Sequence, residues 1–317
     1  MSSGLEKLSM IGAGVLGGQI AWQSAFSGKQ VVVYDINEEG LQRCQAAQQM
    51  YAGIYQKDLG ATPAQIEQTR ARLRFTTDLA DAVAEADLVI EAVPEIPDVK
   101  IKLYQQMADL LPAHSIIATN SSTLLPSQFA EYTGRPDKYC ALHFANLIWA
   151  VNLAEVMAHA GTNEATLTAI TGFAIEIGMV PIPVQKEQNG YVLNSWFSPL
   201  LQAALGLVVN GVSTPEYVDR TFMIANRSSM GPCAMIDMVG MATVYNIGQH
   251  WGTLKNDAQM LKNAAYIKQH FLDKGLMGLQ TGQGFYQYPN PSYQAPGFLA
   301  VPDMSVVAGL VKLIKPS

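Results

Sequence analysis

Short apolar runs alternate with longer amphipathic stretches up to about residue 185. Leu8-Ser9-Met10-Ile11 reads as a buried strand that begins by about residue 7. The pattern then predicts a helix over Leu16 to Ser27, stopped by Gly28, and a second buried strand, Val31-Val32-Val33-Tyr34, that ends at Asp35. A long amphipathic stretch runs from Glu38 to about Asp58, and a second helical pattern from Pro63 to Arg74. Beyond these, a strand is expected over Asp87 to Val93, a helix over Val99 to Leu111, and strands over Ser115 to Thr119 and Tyr139 to His143. Leu142-His143-Phe144 and Leu153-Ala154-Glu155-Val156 read as neighbouring strands joined by a loop, and Val180 to Val184 as a short strand that ends the sheet. This alternation argues for an α/β fold with a doubly wound, mostly parallel sheet. Gln185 to Asn189 reads as a linker, and the pattern beyond it is helical: Gly190 to Val209, Pro215 to Ala225, a third helix around Met235 to Trp251, and another from about Leu254 to Leu272. Two domains are expected, residues 1–187 and residues 188–317, the second mostly α-helical. Its apolar helices are expected to build the interface of a homodimer.

The junction of the first strand and helix carries chemistry. Gly12-Ala13-Gly14-Val15-Leu16-Gly17 is a G-x-G-x-x-G turn. Gly12 allows the tight turn, Gly14 lets the backbone approach a pyrophosphate, and Gly17 lets the helix pack against the strand. The free N–H groups of the helix start, at Val15 and Leu16, face the phosphates together with the helix dipole. Such a turn by itself also serves ordinary strand-to-helix connections, but here both strands, the helix and the acid fall in the order that a dinucleotide site requires. Asp35 stands about twenty residues beyond the glycines, where a carboxylate accepts hydrogen bonds from a ribose 2′-OH and repels a 2′-phosphate. The expected fold is therefore of Rossmann type, and the expected cofactor is NAD.

Composition narrows the remaining classes. Of 317 residues, 49% are hydrophobic and 15% charged, which fits a folded globular chain. The net charge is −6 and no block rich in lysine and arginine occurs, so a nucleic-acid partner is not expected. Cys44, Cys140 and Cys233 are odd in number and far apart, which suits reduced thiols in a cytoplasmic protein with no disulfide framework and no metal site. With the first strand this early, no signal peptide is expected. No apolar run reaches the length of a membrane span, and the interrupted apolar segment Val301 to Ile314 reads as packing or interface.

In open α/β sheets, ligands bind beyond the carboxyl ends of the strands. The polar residues there are Glu95, with Lys100 one turn into the next helix; Asn120, Ser121 and Ser122; and His143 and Asn146. With Asp35 they are expected to converge on one crevice. His143 is the catalytic candidate, because imidazole titrates nearest neutral pH and this one ends a strand at the crevice. His114, His159, His250 and His270 read as exposed or capping residues. Glu155 has apolar neighbours on both sides, which favours burial, and a buried carboxylate needs a partner; paired with His143 it would fix the tautomer of the imidazole. Asn194 follows Gly190-Tyr191-Val192-Leu193 at the head of an apolar helix. It serves either as a capping or inter-helix hydrogen-bonding group or as a contact to substrate.

Taken together, these segments resemble the L-3-hydroxyacyl-CoA dehydrogenase family. The likeness is carried by Gly12-x-Gly14-x-x-Gly17, Glu91-Ala92-Val93-Pro94-Glu95, Asn120 to Leu124, Leu142-His143-Phe144-x-Asn146, Glu155-Val156, Gly190 to Asn194, Met230-Gly231-Pro232 and Thr281-Gly282-Gln283-Gly284-Phe285-Tyr286. Within the family, Asn120 to Ser127 and Leu142 to Asn146 look most like the diketo ester reductase branch. The resemblance implies a Rossmann domain followed by a helical dimerisation domain, and NAD(H)-dependent interconversion of 3-hydroxyacyl and 3-oxoacyl groups. It implies His143 as general acid/base with Glu155 as its partner, and Ser122 and Asn194 as hydrogen-bonding groups for the reacting oxygen. It also implies Glu95, Lys100, Ser122 and Asn146 around the nicotinamide half of NAD. The chain departs from the family pattern at Asn146-Leu147-Ile148-Trp149, where the family usually continues with proline, and at Gln280, where a lysine is common. Between residues 36 and 60 the cations are Arg43 and Lys57, few for gripping the nucleotide tail of CoA. The acyl carrier therefore stays open among a CoA thioester, a free acid and an ester. Two other readings are a hydroxy-acid dehydrogenase with a catalytic lysine, whose lysine would precede the asparagine where this chain has Leu193, and a non-enzymatic crystallin-like role.

Overall fold

The computed structural model describes residues 2–314. The chain divides into two compact units between Ser195 and Trp196. In the first, β1 (Lys7–Ile11), α1 (Val15–Phe26), β2 (Gln30–Tyr34), α2 (Glu38–Asp58), α3 (Pro63–Ala71), β3 (Leu73–Thr76) and α4 (Leu79–Val83) are followed by β4 (Leu88–Glu91), α5 (Pro97–Ala108), β5 (Ile116–Thr119), β6 (Tyr139–Phe144), β7 (Leu153–Met157), α6 (Glu164–Glu176) and β8 (Val180–Val184). The eight strands form one sheet in the order β3-β2-β1-β4-β5-β6-β7-β8, parallel at every pairing except β6 with β7. This is the doubly wound, Rossmann-type α/β architecture, in which the strand order reverses beside β1.

Local sequence explains the layers. Every residue of β4, β5 and β6 is buried, as expected of central strands covered by helices on both faces. One apolar cluster joins α1 and α6 to one face of the sheet, and a second joins α4 and α5 to the other. Helix starts carry their own signals: Thr62 and Gln65 form a capping box on α3, Asn163 caps α6, and Pro97 occupies the first turn of α5.

Three local expectations need correction. The helical pattern from Pro63 to Arg74 ends at Ala71, and Leu73–Thr76 instead forms the edge strand β3 against β2. This strand is only four residues long, too short for its period to stand out from the helical one before it. The helix expected around Met235 to Trp251 is two helices, α9 (Pro232–Val239) and α10 (Met241–Leu254), broken at Gly240 with φ +92°. The helix expected from Gly190 begins at Leu193, because Gly190 and Tyr191 both take left-handed φ, +81° and +55°. The segments that become α4 and α6 carry no individual assignment in the sequence reading.

Helix α7 (Leu193–Val209) leads into the second unit, which is built from α8 (Pro215–Asn226), α9 (Pro232–Val239), α10 (Met241–Leu254), α11 (Ala258–His270) and α12 (Val307–Ile314). Two buried carboxylates organise it. Asp219 accepts from Cys233 N–H at 2.6 Å and Ala234 N–H at 2.9 Å, capping α9 from outside. Asp237 accepts from the N–H groups of Phe285 and Tyr286 at 2.8 and 2.9 Å. Helix α12 carries no buried residue. No helix among the described residues is long and apolar enough to cross a membrane. Cys44, Cys140 and Cys233 are buried free thiols.

Candidate active site

The turn from β1 into α1 has the shape that its glycines suggest. Gly12 has φ +107°, and a Cβ there would lie 2.6 Å from the carbonyl oxygen of Ala92 at the end of β4. A Cβ on Gly17 would run into the carbonyl oxygen of Gly12, so α1 can cross this close to the strand only with glycine. Gly14, by contrast, opens onto empty space, with nothing within 4 Å of its would-be Cβ. It is the N-cap of α1, no side chain caps that helix, and its first turn contains no acid. The N–H groups of Val15 and Leu16 thus stand at a helix start with room for an anionic group. Asp35, at the tip of β2, accepts from Ala13 N–H at 3.0 Å and from Asn37 N–H at 3.1 Å, which ties it to the same turn. A free-donor helix end beside a carboxylate matches the pyrophosphate and ribose of NAD.

Four segments meet at His143. Its position on β6 is paired directly with Glu155 on the antiparallel strand β7. The two side chains, 3% and 1% exposed, are joined by Nδ1 and Oε2 at 2.7 Å. The other oxygen of Glu155 accepts two backbone N–H groups, from Val192 and Leu193, each at 2.8 Å. A carboxylate saturated by donors is acceptor-only, so Nδ1 carries the proton of the pair and Nε2 is left to exchange one. Nε2 lies 3.1 Å from the hydroxyl of Ser122 in the loop after β5.

Ser122 links this pair to Glu95. Glu95 Oε1 accepts from the N–H groups of Ser122 and Thr123 at 3.0 Å and from the hydroxyls of Ser121 and Thr123. Burial works against its charge, but the Lys100 ammonium and these hydrogen bonds outweigh it and hold the carboxyl below the ordinary range. Lys100 is 1% exposed and lies between two acids, 2.7 Å from Glu91 and 3.2 Å from Glu95. Its ammonium is therefore engaged inside the protein by these two carboxylates. Glu91 is wholly buried and also accepts from Val93 N–H, Thr119 Oγ1 and the Tyr104 hydroxyl.

The remaining candidates are placed as follows. Asn120 Oδ1 accepts from Phe144 N–H at 2.9 Å and so ties the ends of β5 and β6 together. Asn146 is exposed, Asn194 is half-buried, and neither side chain has a hydrogen-bond partner among the described residues. The loop after Asn146 has its own construction. Leu147 takes φ +61°, which proline cannot adopt, and Gln19 of α1 accepts its N–H at 2.8 Å. Trp149 packs on Tyr51 and Tyr55 of α2. His114 lies 3.1 Å from Asp87, His159 bonds the Pro136 carbonyl, and His250 and His270 sit on α10 and α11. Glu91 and Tyr191 are the residues of this site to which the sequence reading assigns no role. A lone acid ending the apolar run Leu88-Val89-Ile90 was the available signal for Glu91.

Comparison with known proteins agrees with this architecture. The profile of the 3-hydroxyacyl-CoA dehydrogenase NAD binding domain matches residues 7–188, and that of the 3-hydroxyacyl-CoA dehydrogenase C-terminal domain matches residues 190–288. A probable 3-hydroxybutyryl-CoA dehydrogenase of Deinococcus radiodurans is 32% identical over 290 residues, 89% of this chain and 100% of its own length. Among solved structures, a diketoreductase studied for catalysis on dicarbonyl compounds is 45% identical with a TM-score of 0.82, covering 90% of this chain and 99% of that one. The (S)-3-hydroxybutyryl-CoA dehydrogenase of Ralstonia eutropha is 28% identical with a TM-score of 0.76, covering 90% of this chain and 100% of its own. The chain belongs to the 3-hydroxyacyl-CoA dehydrogenase family and is an NAD-binding oxidoreductase that acts on CH–OH groups.

Proposed function

We propose that this protein interconverts 3-hydroxyacyl and 3-oxoacyl groups, with His143 as general acid/base and Glu155 as its partner. The observation that carries the reading is the continuous hydrogen-bonded chain Glu155–His143–Ser122. NAD(H), when bound, would supply the two-electron exchange with the substrate carbon. In the oxidising direction His143 Nε2 takes the hydroxyl proton, and Glu155 stabilises the imidazolium that forms. In the reducing direction the protonated ring gives that proton back to the carbonyl oxygen. Ser122 and Asn194 donate hydrogen bonds to that oxygen as it gains charge. Gly14, Val15 and Leu16 would hold the pyrophosphate on a turn that Gly12 and Gly17 keep tight, and Asp35 would bind the ribose in preference to a 2′-phosphate. Glu95, Lys100, Asn120, Ser122 and Asn146 would surround the nicotinamide half. Turnover of NADH with a 3-oxoacyl substrate tests this reading; near-normal turnover by a well-folded His143→Gln variant overturns it.

For the acyl carrier, we favour a small β-dicarbonyl ester or acid over a CoA thioester. On α2, Arg43 is paired with Glu39 at 2.6 Å, which leaves Lys57 in the last turn as the other cation of that helix. Trp149 lies against the same helix. The diketoreductase likeness points the same way. Parallel rates with ethyl acetoacetate and acetoacetyl-CoA decide the question, and a strong preference for the thioester overturns this choice. The exposed Leu207, Val212, Ile224 and Leu254 of the helical unit support a homodimer, which sedimentation measures. The three buried thiols fit a cytoplasmic location, and residues 1–187 and 188–317 serve as working bounds of the cofactor and helical domains.

A further inference from the structure

Tyr191 is 1% exposed, and its ring lies over the His143 imidazole with centroids 4.8 Å apart and planes inclined by 30°. The pairing of β6 with β7 makes the place for that ring. Ala141 and Met157 are register partners, as are His143 and Glu155, and each stands two residues along its strand, on the same face of the sheet. Ala141, Met157 and Tyr191 form one buried apolar cluster. The small side chain at 141 leaves the width that a flat ring needs beside the imidazole. The phenol oxygen itself has no hydrogen-bond partner among the described residues. Burying an unpartnered hydroxyl is unfavourable, so the ring rather than the oxygen accounts for an aromatic residue here.

The backbone of the same residue makes a second contribution. Tyr191 holds a left-handed φ of +55°, an unfavourable state for a bulky side chain that persists only where its surroundings enforce it. The Ser195 hydroxyl donates to the Tyr191 carbonyl, and Tyr191 N–H donates to Gln188. The next two N–H groups then reach Glu155.

We propose that Tyr191 is a positioning residue for the His143–Glu155 pair: its ring holds the imidazole plane so that Nε2 is aimed at Ser122 and the substrate oxygen, and its left-handed backbone turns two N–H groups onto Glu155. The proposal rests on the acid/base role of His143. An imidazole tied at its two nitrogens still rocks about the line that joins them, and a packed aromatic face stops that motion. Proton transfer depends steeply on such aim.

Reduction of ethyl acetoacetate and of acetoacetyl-CoA by NADH tests this in the full-length protein. Tyr191→Phe keeps the face and is expected to hold kcat within about twofold, whereas Tyr191→Leu loses about tenfold or more in kcat with the NADH KM within about twofold. Ala141→Val, which displaces the ring without removing it, is expected to lower kcat in the same sense, and it decides the question if the leucine variant does not fold. Full kcat in a folded Tyr191→Leu variant, or in Ala141→Val where only that variant folds, overturns the proposal. So does a Tyr191→Phe variant as impaired as the leucine one. His143→Gln is measured alongside. If it keeps its turnover, the acid/base reading fails; if it is inactive while Tyr191→Leu is unimpaired, only the role of Tyr191 fails.

Discussion

Glu155 faces His143 across the single antiparallel pairing of an otherwise parallel sheet, with 2.7 Å between Oε2 and Nδ1. Because residues opposed across a ladder have their Cβ atoms about 5 Å apart, this register alone brings the acid within reach of the ring. The two N–H groups on its other oxygen keep it there.

Removing the charge of Glu155 while keeping its shape tests that arrangement. Glu155→Gln is expected to lower kcat by about a hundredfold or more, because a neutral amide neither fixes the Nδ1–H tautomer nor stabilises the imidazolium. Steady-state kinetics checks this, with the NADH KM as the control that should move little. A variant with kcat near that of the parent protein would count against the pair.

Asp35 is expected to govern the choice of dinucleotide. Asp35→Ser removes the carboxylate acceptor and is expected to raise the NADH KM by about tenfold or more, the worth of a hydrogen bond to a charged group. The same change lifts the repulsion of a 2′-phosphate, so the NADPH-to-NADH ratio of kcat/KM should rise. An unchanged ratio would show that Asp35 serves only to tie down the turn through Ala13.

Lys100 stands between two acids with its side chain 1% exposed. Lys100→Met leaves the buried Glu91 carboxylate without its cation and is expected to cost about 3–5 kcal/mol of stability. Urea unfolding measures it. The Glu95 loop should loosen as well, raising the NADH KM in whatever fraction remains folded. A midpoint equal to that of the parent protein would contradict the network.

Acid stability should depend on Glu176. Burial opposes its charge, yet the Lys29 ammonium and the hydroxyl and N–H of Ser3 pull its carboxyl from 4.5 down to about 2. A carboxyl whose folded value is depressed binds fewer protons folded than unfolded. Its contribution is thus complete above the unfolded value of 4.5 and is lost as pH falls from there toward about 2. Melting temperatures of the parent protein and of Glu176→Gln should converge over that interval and differ at neutral pH. Parallel curves throughout would exclude the contribution.

The segments around the cofactor turn were legible because their signals are local. A short, mostly apolar run, a glycine turn, a helix and a terminal acid are set by neighbours a few residues apart, so Gly12 to Asp35 could be read directly. The same holds for the buried runs that became β4, β5 and β6. It fails for β3, whose four residues are too few to show their own period, and at Gly240, where one residue splits a continuous apolar pattern.

What the sequence determined by itself was the set of chemical groups and the strand ends that carry them: His143, Glu155, Ser122, Glu95, Lys100 and Asp35. Only the tertiary structure decided which of them meet. The pairing of His143 with Glu155 spans 12 residues, the bonds from Val192 and Leu193 to Glu155 span 37 and 38, and the Tyr191 ring reaches the imidazole from the same distant segment. Contacts at such separations are settled by strand register and by the cost of burying a charge without partners, and no local propensity records either.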